Sequence, residues 1–243
     1  MKIESVNVQV QGLYRPVRIA LVADLHSRPC GELLAALQND PPDMIAAVGD
    51  MMHNPWRVTD PAHTVEHDRE AYRFFEEAVR LAPVFYSLGN HELRIPQAAR
   101  EAVQATGVRL LDNEAVAWKD LWIGGLTSAG HGRIPTEVPP PDLAWLREFR
   151  ALPGPRVLLC HHPEYYPRYI RETGVDVVLS GHAHGGQWRF FGQGIYAPGQ
   201  GLFPKYTSGV YEDRLVVSRG LANTARIPRF GNPTELVYVQ LVG

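Results

Sequence analysis

The sequence predicts a layered α/β fold with buried strands at its centre, and three observations carry that prediction. Short apolar runs rich in β-branched residues recur along the chain, segments with helical spacing separate several of them, and each run stops at a polar residue or glycine. Runs that are apolar on both faces mark strands covered on both sides. Their alternation with helices argues for βαβ units over at least the first two thirds.

In chain order, Val17 to Val22 is the first run, and Leu33, Leu34 and Leu37 share one face of the helix after it. Met44 to Val48 is the second run, followed by a helix carrying Tyr72, Phe75, Ala78 and Val79 on one face. Val84 to Leu88 and Leu121 to Leu126 come next, then a helical face of Leu143, Leu146 and Phe149. Val157 to Cys160 and Val175 to Leu179 close this part. After residue 185 the chain is rich in glycine and proline (Gly185 to Gly201, then Pro204), with two further strands at Leu215 to Ser218 and Leu236 to Leu241. This end reads as a β-rich second sheet with long loops. With no internal repeat, heptad run or low-complexity linker, residues 1–243 are expected to form one domain.

Composition narrows the function classes. Of 243 residues, 45% are hydrophobic and 21% charged, as in a soluble globular protein with a filled core. Lys and Arg number 24 against 26 Asp and Glu, a net charge of -2, so no global basic field points to nucleic acid or an anionic membrane. The only cysteines, Cys30 and Cys160, are expected to be free thiols in a reducing compartment. Met1 to Val10 alternates apolar and polar residues and includes Lys2 and Glu4, unlike a signal peptide. No stretch approaches the roughly 18 apolar residues of a membrane span. A soluble, cytoplasmic protein without a transmembrane segment is the expectation.

The chemistry is concentrated where the runs end. Asp24 and His26 follow the first, Gly49 and Asp50 the second, and Gly89, Asn90 and His91 the third. His161 and His162 follow Cys160, while Gly181, His182 and His184 follow the strand ending near Ser180. Singly, each has an ordinary explanation: an Asp can cap a helix, an Asn can make a turn, and a His can sit on the surface. Jointly, five strands deliver Asp, Asn or His at their carboxyl ends, the edge where open α/β sheets bind ligands. The glycines before Asp50, Asn90 and His182 are expected to let the backbone turn and aim those side chains inward. Carboxylate, imidazole and one amide oxygen suit divalent Mn, Fe, Zn or Ni, and seven donors are too many for one tetrahedral ion. Two ions sharing a carboxylate fit better, the arrangement used for displacement at phosphorus.

Asp24-Leu25-His26, Gly49-Asp50, Gly89-Asn90-His91-Glu92, His161 and Gly181-His182-Ala183-His184 resemble, in order, the five signature blocks of the calcineurin-like metallophosphoesterases. The extension Gly185-Gly186-Gln187 and the segments Pro204-Lys205-Tyr206, Ser218-Arg219-Gly220 and Gly231-Asn232-Pro233 are similar to a bacterial subgroup of phosphohydrolases often described as membrane-associated. The resemblance implies a four-layer α/β/β/α sandwich, two mixed β-sheets face to face with helices outside. It implies that Asp24, His26 and His184 bind one divalent ion, that Asn90, His161 and His182 bind a second, and that Asp50 bridges them. His161 is preferred to His162 because it comes first after the strand and stands two residues before Pro163, as the ligand of the family it resembles does. His91 would protonate the leaving oxygen, and Glu92 would orient His91.

Arg28, Arg94 and Lys205 lie near the motif loops as candidate phosphate contacts, while His53 and His131 are loop histidines able to line a substrate pocket. The implied activity is hydrolysis of phosphodiester, phosphomonoester or pyrophosphate bonds by water activated between two cations. The expected substrate is a small-molecule or lipid-like phosphate ester, with peripheral contact to a membrane surface left open. A phosphoprotein phosphatase is the alternative, and a non-catalytic scaffold comes last because no ligand is replaced.

Overall fold

The computed structural model describes residues 1–53, 66–93, 95–130, 136–223 and 227–243. Two six-stranded sheets form its centre. The strands are β1 (Lys2–Gln9), β2 (Val17–Val22), β3 (Met44–Val48), β4 (Val84–Ser87), β5 (Arg109–Leu111), β6 (Glu114–Trp118), β7 (Leu121–Leu126), β8 (Arg156–Cys160), β9 (Val177–Ser180), β10 (Arg189–Phe190), β11 (Gln193–Gly194), β12 (Tyr196–Ala197), β13 (Gly201–Leu202), β14 (Gly209–Tyr211), β15 (Leu215–Val217) and β16 (Glu235–Val242). The first sheet has the order β1-β16-β2-β3-β4-β5, and the second β14-β15-β9-β8-β7-β6. In the first, β2, β3, β4 and β5 run parallel while β16 lies antiparallel to β2. In the second, β7, β8, β9 and β15 are parallel, and β6 and β14 are antiparallel edges.

The period of two along each strand builds the layers. On β3, Met44, Ala46 and Val48 face the cluster between the sheets, with Ile19 and Leu21 of β2, Leu159 of β8 and Leu179 of β9. Ile45 and Ala47 face outward, onto α1 (Gly31–Asn39), α2 (Arg69–Ala78) and α3 (Gln97–Ala105), through Leu37, Phe75 and Val103. On the far side, Leu158 and Val178 pack on Leu146 and Phe149 of α4 (Leu143–Arg150). The result is the α/β/β/α sandwich. Each fully buried Val, Leu, Ile or Phe contributes about 1.5–3 kcal/mol, so the inter-sheet layer holds the two sheets in fixed relation.

Two sequence expectations are corrected. The last strand, β16, does not join a C-terminal second sheet: it inserts between β1 and β2 of the first sheet. A second sheet does exist, but it begins at β6 and takes only β14 and β15 from the chain after residue 185, while β10 to β13 form two small hairpins. The physical reason is that β16 is buried along most of its length, and only the gap beside β2 covers both its faces. Among the described residues no helix is long and apolar enough to cross a membrane. Both cysteines are buried and free.

Candidate metal centre

Because β2, β3 and β4 in one sheet and β8 and β9 in the other all end at one edge, their following loops meet there. The loops track each other beyond the strands: Asp24 N donates to the Gly49 carbonyl at 3.2 Å, His26 N to that of Asp50 at 3.0 Å, and Gly181 N to that of His161 at 3.1 Å. Leu221 N donates to the Ala23 carbonyl at 3.0 Å, binding the C-terminal segment to the same edge.

Three donor groups able to hold an ion overlap at this edge: Asp24, His26 and His184; Asp50, His161 and His182; and His26, His53 and His91. Asp24, Asp50 and His161 are fully buried, or nearly so. Asp50 Oδ2 lies 3.2 Å from His161 Nε2 and 3.9 Å from both His26 Nε2 and His91 Nε2. Its other oxygen accepts from His91 N at 2.8 Å. Asp24 Oδ1 stands 3.6 Å from His184 Nε2, and the Asp24 carboxylate accepts from His182 N. Both ring nitrogens of His26, Nε2 of His161 and Oδ1 of Asn90 are buried without a hydrogen-bond partner. Buried polar atoms are ordinarily paired, so four such atoms at one edge require another explanation.

The neighbouring histidines differ in what their nitrogens touch. His161 Nδ1 donates to the Val48 carbonyl at 2.8 Å, which leaves Nε2, facing Asp50, as the nitrogen that could bind an ion once it has lost its proton. In His162 both nitrogens are engaged, Nδ1 with Glu164 at 2.9 Å and Nε2 with Ser128 Oγ at 2.6 Å. A fourth donor group, His162, Glu164 and His182, lies behind the centre and is entirely buried. Nothing in the sequence singled out Glu164, although a carboxylate two residues after a histidine pair was a usable signal.

Burial alone would lower the His161 pKa, but the Asp50 and Asp24 carboxylates outweigh it and push the imidazole up to about 10. His26 and His184, for which burial dominates, are held below their ordinary value. The two carboxylates thus demand positive charge at this spot, as a cation-binding centre does. The backbone is unusual as well. Asp24, His26, Asp50, His182 and His184 have φ between 44° and 64°, a left-handed conformation that costs a non-glycine residue of order 1 kcal/mol or more. The sequence expectation assigned this turning to the preceding glycines. Of these only Gly49 has a positive φ; Gly89 is needed for space, since a Cβ there would fall 2.2 Å from Asp50 Oδ1.

His91 and Glu92 separate in the structure. His91 Nδ1 is 2.6 Å from the His53 carbonyl, and burial, which would lower its pKa, is outweighed by Asp50 and that carbonyl, so it sits above its ordinary value. The oxygens of Glu92, expected to orient His91, are taken up by backbone groups. Its two oxygens accept from the backbone N–H of Asp50, Met52 and Gly89, each at 2.9 Å, tying the β3 and β4 loops together. Buried there beside Asp50, its carboxyl is pushed up to about 7.

A cavity of about 340 Å³ opens on the centre, lined by Asp50, Asn90, His91, His182 and His184 on one wall and Tyr196, Pro198 and Ile227 on another. Arg28 is exposed on the turn after His26 and is not in this wall. Lys205 is exposed, its Nζ 5.1 Å from the Tyr206 ring, and is not in the wall either. Arg94 and His131 lie outside the described residues. Sequence reasoning missed Arg229, whose Nη2 is 3.1 Å from His184 Nδ1, because it is 45 residues distant in the chain. The C-terminal motif does show its purpose: Asn232 Nδ2 donates to the His184 and Gln187 carbonyls at 2.8 and 3.1 Å, and Gly220 leaves room for the Asp24 carboxylate.

The profile of the family described as calcineurin-like phosphoesterase matches residues 17–186. The Bacillus subtilis protein YpbG is 27% identical over 94% of this chain and 82% of its own length. The UDP-2,3-diacylglucosamine pyrophosphatase LpxG of Chlamydia muridarum is 33% identical over 54% of this chain, a stretch that is 40% of that protein. A solved structure with TM-score 0.50 and 16% identity, covering 69% of this chain and 84% of its own, agrees in fold.

Proposed function

Since the chain belongs to the family of calcineurin-like phosphoesterases, we propose that it hydrolyses phosphate esters or pyrophosphates with the help of two divalent metal ions. The observation that carries this reading is the position of Asp50, whose Oδ2 lies between His26 of one donor group and His161 of another. Asp24, His26 and His184 would hold one ion, Asn90, His161 and His182 the other, and Asp50 would reach both. The donor atoms fit such ions: four of them are buried without a hydrogen bond, and mixed carboxylate, imidazole and amide donors suit Mn, Fe, Zn or Ni.

When bound, these ions supply Lewis acidity, neutralising charge on phosphoryl oxygens and lowering the pKa of water. The chain's own residues do the rest. The His53 carbonyl holds the His91 ring by Nδ1, leaving Nε2 toward Asp50 and the cavity, where it can hold a proton and give it to a leaving oxygen. Glu92 keeps the Asp50 and Gly89 turns in register. Tyr196, Pro198 and Ile227 give the cavity an apolar part of its lining. The name of the Chlamydia relative supports including pyrophosphate bonds among the substrates.

The test is a panel of phosphomonoester, phosphodiester and pyrophosphate substrates, with Mn, Fe, Zn or Ni returned to chelator-stripped protein. Turnover of at least one substrate that depends on the returned metal is the expected outcome. No metal-dependent turnover on any of them would overturn the reading.

A further inference from the structure

Behind the metal centre a line of three buried side chains runs between neighbouring strand ends: Ser128 after β7, and His162 and Glu164 after β8. None of them lines the cavity. Ser128 Oγ accepts from Gly130 N at 3.0 Å and lies 2.6 Å from His162 Nε2, while His162 Nδ1 lies 2.9 Å from Glu164 Oε1. An imidazole with one ring proton fits both contacts in one way only. A carboxylate can only accept, so Nδ1–H donates to Glu164, and Nε2 accepts the proton of the Ser128 hydroxyl. The Glu164 carboxylate is therefore held in place from the side away from the metal centre.

What it faces on the other side is His182. Glu164 Oε1 stands 3.6 Å from His182 Nε2, and the rings of His162 and His182 are 4.1 Å apart. Room for the carboxylate is left by Gly199, where a Cβ would fall 1.9 Å from Oε1. Gly199 lies between β12 and β13, in the hairpin whose Tyr196 and Pro198 line the cavity. Glu164 Oε2 is buried without a hydrogen bond. To satisfy His162 alone, a neutral acceptor would suffice. Burying a carboxylate with one oxygen unbonded is costly, and so calls for a use of its charge.

We propose that Glu164 is a positioning residue for the second ion: its carboxylate keeps the His182 ring proton on Nε2 and thereby turns Nδ1 to the ion. His182 belongs both to this buried group and to that of Asp50 and His161, so its two nitrogens have different work. At 3.6 Å the contact is electrostatic and longer than a hydrogen bond. The carboxylate charge still favours the tautomer protonated beside it, and makes the imidazole a more basic ligand. Ser128 and His162 act one step further back, by fixing where the carboxylate stands. The inference rests on the two-ion reading above.

Two measurements test it, and neither uses turnover. In zinc-loaded protein with isotope-labelled histidine, long-range proton–nitrogen correlation spectra should show His182 bound to metal through Nδ1 and protonated on Nε2, the signal being assigned by its loss in His182→Asn. Metal titration against a chelator should find two ions in wild type. In Glu164→Gln one of them should bind about 10–100-fold more weakly while the other keeps its affinity. Ser128→Ala, which releases the far end of the line and leaves the carboxylate, should weaken the same ion by less. His182 bound through Nε2 overturns the proposal, as do Glu164→Gln affinities that are both unchanged or both lowered alike. Equal losses with a lower melting temperature are what a merely structural carboxylate gives. If Glu164→Gln does not fold, the wild-type spectrum decides alone. Wild type that takes up no ion sinks the two-ion reading together with this inference, whereas two ions with His182 bound through Nε2 sink only the role of Glu164.

Discussion

His91 keeps its ring orientation through one backbone carbonyl, that of His53, and points its other nitrogen toward Asp50. Its ring shares a donor group with His26 and His53 and stands outside those of Asp24 and His161, and under the proposed reading it serves as proton donor. His91→Ala should therefore retain both ions in metal analysis while hydrolysis slows by about 10²–10⁴-fold, the usual worth of general acid catalysis. The loss should be larger for an alkyl ester than for a nitrophenyl ester, whose leaving group scarcely needs protonation. Equal losses would point to phosphate positioning, and loss of metal would make His91 a ligand. Asp50 is different, because one carboxylate oxygen lies 3.9 Å from His26 Nε2 and 3.2 Å from His161 Nε2. Asp50→Asn should reduce metal content and activity together, and near-wild-type values of both would remove the bridging role.

At the level of elements, the turns after β3 and β4 are assembled as a unit. Glu92 accepts from the N–H groups of both turns, and Gly89 lies against Asp50 with no room for a side chain. Gly89→Ala should displace the Asp50 carboxylate more than it disturbs the sheet, since β4 itself is packed by Val84 and Tyr86. Metal affinity measured by titration should fall at least tenfold while the cooperative unfolding transition persists, the usual scale for loss of a supporting contact at a metal site. Unaltered affinity would mean that the loop yields without moving Asp50. The left-handed backbone at Asp24, His26, Asp50, His182 and His184 belongs to this scale too, because adjacent turns cemented by backbone hydrogen bonds hold residues where isolated loops would relax.

Across the whole molecule, the buried charges tie stability to metal and pH. With metal removed, His161 is an imidazolium raised from 6.5 to about 10 by Asp50 and Asp24 against the cost of burial. A group whose folded pKa is raised stabilises fully below its unfolded value and loses that contribution as pH rises through the folded one. The melting temperature of chelator-stripped protein should therefore fall as pH is stepped from 6.5 toward 10. Metal binding must expel the same proton, so affinity for the ion should rise with pH over this range, and restored metal should reverse the trend in melting temperature. A melting temperature independent of pH in the stripped protein would show that His161 is not paired with Asp50 in solution.

The amino-acid sequence alone determined the buried strands and where they end. A strand covered on both faces must be apolar on both, so Val17–Val22, Met44–Val48 and Leu121–Leu126 were legible with their boundaries. The ends bearing Asp, Asn and His were legible only jointly, because one such residue has an ordinary explanation while five strands ending in the same kinds of residue do not. What local pattern could not carry, tertiary structure decided. Helix α3 buries only Ala99 and Val103, too weak an apolar face to announce itself. Strand β1 shows its alternation plainly, but its partner β16 stands at the opposite end of the chain, and no local rule pairs Lys2 with Glu235. Likewise the roles of Glu92 and Arg229 depend on which backbone groups and rings the two packed sheets bring beside them. Hydrogen bonds between residues distant in sequence form only after the inter-sheet layer has set the loops at one edge, and that layer is a property of the whole fold.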